Sequence, residues 1–311
     1  MKIKFSKLLI FILAIIYWAF CSQYHVVVTE ILTDWVDTHY GRFVPKDYVY
    51  QFAAFLVIFV LIFVVYRLIK GTRKIPTLLY WLFVFISVIL SYRYLITAPI
   101  EIVHYPQFAI LSILLAISLD PKKDKFFIIR ILLIVTLLGI IDEVYQYLYL
   151  TKKSSDYLDF NDFLLNQIGA AIGIMMYYGF VKEPVIVESV YKISLSMKKI
   201  ILSLIALTTL FTFLNNRIYF RTSNEIEPGG FTVKEGKTVF YLERKPGKYG
   251  NWVEDDKGTG NFFILDPILG ILFMILYGAF FGTFDNRFYS SVIEIFIRKN
   301  SSSKNVVEVK E

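Results

Sequence analysis

The chain has 311 residues, 56% hydrophobic and 18% aromatic, with a formal net charge of +7. Apolar runs of about 20 residues recur along its length, which excludes a soluble globular domain; their continuity, without alternation, excludes a β-barrel. The positive charge is spread between the apolar runs and is no sign of nucleic-acid binding, and one cysteine excludes an internal disulfide or a zinc site built on cysteine pairs.

The pattern predicts an all-α polytopic membrane protein with about eight transmembrane helices and a small extracytoplasmic β module. The spans fall at approximately 8–24, 49–67, 76–95, 103–119, 126–146, 162–180, 199–216 and 263–283. They divide the chain into N-terminal helices over 1–75, a membrane core over 76–180, a loop and seventh helix over 181–216, the β module over 217–262, and a last helix with a tail over 263–311. The first run follows the basic stretch MKIKFSK, as a signal peptide would. Phe20-Cys21-Ser22-Gln23 is a poor cleavage site, so an uncleaved helix is expected.

Lysine and arginine alternate from side to side. Lys2, Lys4 and Lys7, then Arg67, Lys70, Arg73 and Lys74, then Lys122, Lys123, Lys125 and Arg130 lie on one side. The short loops opposite carry only Arg42 and Lys46, Arg93, and Lys152 and Lys153. The positive-inside rule therefore predicts cytoplasmic termini and an outward-facing 142–161 loop. In 217–262, strands are expected at Phe231-Thr-Val and Thr238-Val-Phe-Tyr-Leu, separated at Glu235-Gly236. Tyr17, Trp18, Tyr80, Trp81, Tyr92, Tyr94, Tyr145, Tyr147 and Tyr149 sit near span ends and read as an interfacial aromatic belt. The tail after Lys299 is polar and reads as disordered.

Three segments place polar groups at one membrane depth. The fourth span opens with Glu101, His104 and Gln107, spaced by three and so near one helical face. The fifth ends in Asp142, Glu143 and Gln146. The sixth opens with Asp159, Asp162 and Asn166, followed on the same stripe by Gly169 and Gly173, whose spacing suits close helix packing. Carboxylates crowded in a partly dry setting cannot all stay ionised unless a cation neutralises them. Asp159 or Asp162 is also suited to capping the sixth helix.

Candidate catalytic groups are His104, Glu143 and Asp162, with His104 or Glu143 as general base and Asp162 orienting it. No nucleophile is evident, and whether any reaction is catalysed stays open. Gln107, Gln146 and Asn166 are candidates for hydrogen bonds to a ligand, with Lys152 and Lys153 attracting phosphate at the rim. A hard cation, Mg²⁺ or Ca²⁺, would take oxygen ligands from Asp142, Glu143, Asp159 and Asp162.

His104, the Glu143-x-x-Gln146 pair, Asp162 with Asn166, and Gly169 with Gly173 together resemble the VanZ-like family of membrane proteins over about residues 76–180. Two departures stand out: Lys152 and Lys153 occupy the loop where the family usually has an arginine, and Glu101 stands near a position the family fills with a basic residue. The resemblance implies action at the outer face of a bacterial plasma membrane. It implies binding or modifying an envelope lipid, a lipid-linked cell-wall precursor or a lipoglycopeptide, with a link to teicoplanin resistance. The alternatives are a transporter or proton-coupled carrier, and a sensor or scaffold using the β module.

Overall fold

The computed structural model describes residues 2–40, 45–70, 74–96, 99–123, 127–150, 156–180, parts of 205–215, 217–227, 231–254 and 261–282. The helices are α1 (Lys2–Tyr40), α2 (Pro45–Lys70), α3 (Lys74–Tyr94), α4 (His104–Leu119), α5 (Ile128–Tyr145), α6 (Phe160–Tyr178) and α7 (Pro267–Gly282). A 3₁₀ turn, Pro99–Val103, leads into α4, and a π turn, Gln146–Leu150, ends α5. Lys152, Lys153, most of the expected seventh span and the tail lie outside the described residues.

Three stretches are long and apolar enough to cross a membrane: Ser6–Tyr24, Thr77–Tyr94 and Glu101–Leu119. They match three expected spans, and the fold is consistent with membrane insertion. Val57–Arg67 and Pro267–Gly282 are shorter apolar helices. At 18 and 19 residues, α5 and α6 have membrane length, but polar residues interrupt them: Arg130, Asp142 and Glu143 in α5, and Asn161, Asp162, Asn166 and Gln167 in α6. The first helix departs from expectation, running without a break to Tyr40 instead of ending near 24. No glycine or proline interrupts Lys2–Tyr40, so nothing local stops it.

The central helix is α6, which packs against α3, α4, α5 and α7. Leu165, Ala170, Ala171, Ile174 and Met175 are fully buried, while Leu8, Ile62, Leu79 and Ile268 on surrounding helices are exposed. Polar groups collect inside and apolar side chains face out, a distribution consistent with membrane insertion. The glycine stripe explains the closeness of α4 to α6. A Cβ on Gly169 would lie 2.8 Å from the carbonyl oxygens of His104 and Tyr105, and one on Gly173 would collide with Ser112 Oγ and the Ala109 carbonyl. Only glycine permits this backbone contact.

The aromatic belt holds only in part. Tyr92, Tyr94 and Tyr149 are exposed, but Tyr80 and Trp81 are buried. Trp81 stacks near Phe85 and Phe180, and Tyr80 meets Phe280 and Phe281. Their large apolar areas are used in interhelical packing instead of at an interface.

The β module contains β1 (Ile218–Tyr219), β2 (Thr232–Lys234), β3 (Lys237–Tyr241), β4 (Trp252–Glu254) and β5 (Asn261–Phe263). The expected hairpin is present: β2 pairs antiparallel with β3, and β1 runs parallel to β3 on its other edge. Glu235 and Gly236 have φ of 52° and 72°, the left-handed pair that a two-residue hairpin turn needs. A second hairpin pairs β4 with β5.

The module is stitched to the helices. Leu158 N donates to the Leu242 carbonyl and Arg244 N to the Asp156 carbonyl, each bond 2.8 Å or shorter. Tyr249 Oη donates to the Leu158 and Leu242 carbonyls. Buried Asn161 clasps two segments with three bonds: its Nδ2 donates to the Leu95 and Phe263 carbonyls, and its Oδ1 accepts from Leu265 N. The strands thus close over the end of the bundle where α5 stops and α6 starts.

Candidate functional site

At that same end, α4 begins at His104, α5 ends just after Glu143, and Asp162 lies in the first turn of α6. The connection between α5 and α6 makes them antiparallel neighbours. Two helix N-termini therefore point partial positive charge at a set of acids.

Asn166 is the centre of the constellation. Its Nδ2 donates to Glu143 Oε1 at 3.0 Å, and its Oδ1 meets His104 Nδ1 at 2.7 Å. The amide nitrogen faces Glu143, whose oxygens accept when the carboxyl is ionised. The amide oxygen then faces His104, and the proton of the imidazole sits on Nδ1. The other ring nitrogen, Nε2, lies 3.7 Å from Asp162 Oδ1. Glu143 Oε1 is 3.9 Å from Nδ1. His104, Glu143 and Asn166 are 2%, 5% and 1% exposed, and Asp162 is partly buried. Among the described residues, His104 is the only basic side chain within ion-pair distance of Glu143 or Asp162.

The other predicted residues separate from this core. Gln146 Nε2 donates to Asp142 Oδ1 at 3.2 Å, one turn back on the same helix. Asp142 is buried on the side facing α1, beside Cys21 and Ser22. Asp159 caps α6, accepting from Asn161 N at 2.8 Å. Burial pushes its carboxyl up to about 6, against the lowering effect of the Asn161 and Asp162 amides and the Tyr157 hydroxyl. Gln107 is buried but lies outside the His104–Asn166–Glu143 chain of bonds. Glu101 falls in the 3₁₀ turn before α4. The four-carboxylate cation set is therefore divided: Glu143 and Asp162 converge with His104, while Asp142 bonds to Gln146 through Oδ1 and Asp159 caps α6.

Several contributors escaped the sequence. Tyr17 Oη donates to the Gln107 carbonyl, and Trp18 Nε1 to the Leu138 carbonyl. These bonds tie α1 to α4 and α5 behind the site. Gly139 lies against Asn166, where a Cβ would stand 3.2 Å from its side chain. Above the site, Tyr147 Oη donates to the Tyr241 carbonyl and accepts from Arg244 Nε. Buried Arg244 also donates to the Glu227 carbonyl and Thr232 Oγ1. Those partners come from strands far along the chain, so no local pattern announces them.

No family model, curated protein or solved structure matches the chain.

Proposed function

We propose that the chain is a multi-pass protein of the bacterial plasma membrane, with about eight spans, cytoplasmic termini and its polar site at the outer face. In this reading it acts as a VanZ-like protein. It binds or modifies an envelope lipid, a lipid-linked cell-wall precursor or an amphiphilic glycopeptide, and so contributes to resistance.

The observation that carries the reading is the convergence of His104, Glu143, Asp162 and Asn166 from three helices at one end of the bundle. A buried imidazole bracketed by two carboxylates is costly to assemble and suits the recognition of a polar headgroup. The lysine and arginine alternation supports an outward orientation. Transport has less support, because the site lies at helix ends, whereas carrier sites usually lie near mid-membrane.

The test is a susceptibility profile of cells with and without the protein, using lipid-bearing and plain glycopeptides. Glu143→Gln and Asp162→Asn should each remove protection at unchanged membrane abundance. Equal susceptibility with and without the intact protein would overturn the reading.

A further inference from the structure

We infer that His104, Glu143 and Asp162 form the binding site of a divalent transition-metal ion of the Zn²⁺ class, with Asn166 as the positioning residue behind two of the three ligands. The metal would occupy the site on which the proposed function rests.

Three observations lead there. One ligand atom from each of the three residues lies within 4.8 Å of the other two. Bonds of about 2.0–2.2 Å to a shared ion bring such atoms roughly 3.4 Å apart, so loading the site needs only side-chain shifts. Asn166 makes both of its bonds to these residues: it takes the proton of Nδ1 and donates to Glu143. Metal sites commonly hold their histidine and carboxylate ligands this way, which fixes the tautomer and aims the other ring nitrogen inward. Finally, Asp162 Oδ1 is a buried oxygen with no hydrogen-bond partner among the described residues. It lies 3.7 Å from Nε2, beyond hydrogen-bond reach, so the oxygen has room to take an ion as its partner.

The donor set selects the metal. An imidazole nitrogen with two carboxylates suits Zn²⁺, Mn²⁺, Fe²⁺ or Co²⁺, whereas Mg²⁺ and Ca²⁺ favour all-oxygen sites. Three protein ligands also leave a coordination position open to water or to an oxygen of a headgroup. Because the ligands come from α4, α5 and α6, the ion would pin three helices together.

The experiment uses the full chain purified in detergent and stripped with a chelator. ZnCl₂ or CoCl₂ is added alone, with metal content, Co²⁺ absorption and melting temperature as readouts. The expected result is about one ion per chain, a tetrahedral or five-coordinate Co²⁺ spectrum, and a raised melting temperature. His104→Asn and Asp162→Asn should abolish binding, and Asn166→Ala should weaken it about 10- to 100-fold. Asp159→Asn should bind as the parent does. Asp162→Asn keeps the shape of a partly exposed side chain, so its metal-free melting temperature reports whether it folds. Sub-stoichiometric binding, an equal response to Mg²⁺, or undiminished binding by folded Asp162→Asn would overturn the assignment. If metal fails to bind but Glu143→Gln still loses protection, the functional reading survives without the ion. If metal binds and the variants keep protection, the ion site stands and the functional reading falls.

Discussion

Replacing Asn166 with alanine removes both ends of the link between His104 and Glu143. Each partner is at least nine-tenths buried, so little water can take over the lost bonds. A buried group left without its partner costs about 1–3 kcal/mol, with charged acceptors at the upper end. Two such losses, at 2.7 and 3.0 Å, predict about 3–4 kcal/mol for the metal-free chain. That shifts the unfolding equilibrium by more than about 100-fold. Asn166→Asp should be worse than its near-identical shape suggests, because it sets a carboxylate against Glu143 in place of a donor. The assay is reversible unfolding of the chelator-treated protein in mixed micelles, followed by circular dichroism. Gln107→Ala serves as the control, since Gln107 is buried but outside the bonded chain. If Asn166→Ala falls within about 0.5 kcal/mol of the parent, or matches the control, the bonded network does not hold these helices together.

Gly173→Ala should destabilise by about 1–3 kcal/mol or more, because the new methyl meets the Ala109 backbone, which cannot swing aside; thermal melting in detergent checks this. Asp159 gives a pH dependence. Its carboxyl lies near 6 in the fold against an ordinary 3.8, so the folded chain holds the proton more tightly than the unfolded chain. Its share of stability is present below about pH 4 and is lost as the pH rises through 6. Asp159→Asn keeps the cap without the charge and should exceed the parent by about 2 kcal/mol at pH 7 under chelator, with no gain at pH 4. Denaturation at the two pH values decides it. Arg244→Ala removes bonds to Tyr147, Glu227 and Thr232 and should loosen the strands from the helix ends by about 3 kcal/mol. Limited proteolysis should then cut within 217–254 at least tenfold faster, with the helices left protected.

The amino-acid sequence alone determined the apolar spans at Ser6–Tyr24, Thr77–Tyr94 and Glu101–Leu119 and the hairpin at Glu235-Gly236, because chain-local chemistry decides both. Apolar length sets a span, and a left-handed residue pair sets a tight turn. It also brought His104, Glu143, Asp162 and Asn166 forward as candidates, since polar side chains stand out against apolar runs and fall at helical spacing. The glycines at 169 and 173 were legible for the same reason. Only the tertiary structure divided that polar set. Asp142 and Asp159 carry the same functional group as Asp162, yet one bonds within its own helix and one caps another. Which carboxylate reaches the imidazole depends on how far α4 and α6 approach and how each helix is rotated. Tyr80 and Trp81 looked interfacial and proved to be core, because neighbouring helices cover them. The closing of the strands over the helix ends was equally hidden. Its contacts join residues around 147–161 to residues around 241–265, and pairings at that separation exist only once the chain has folded back on itself.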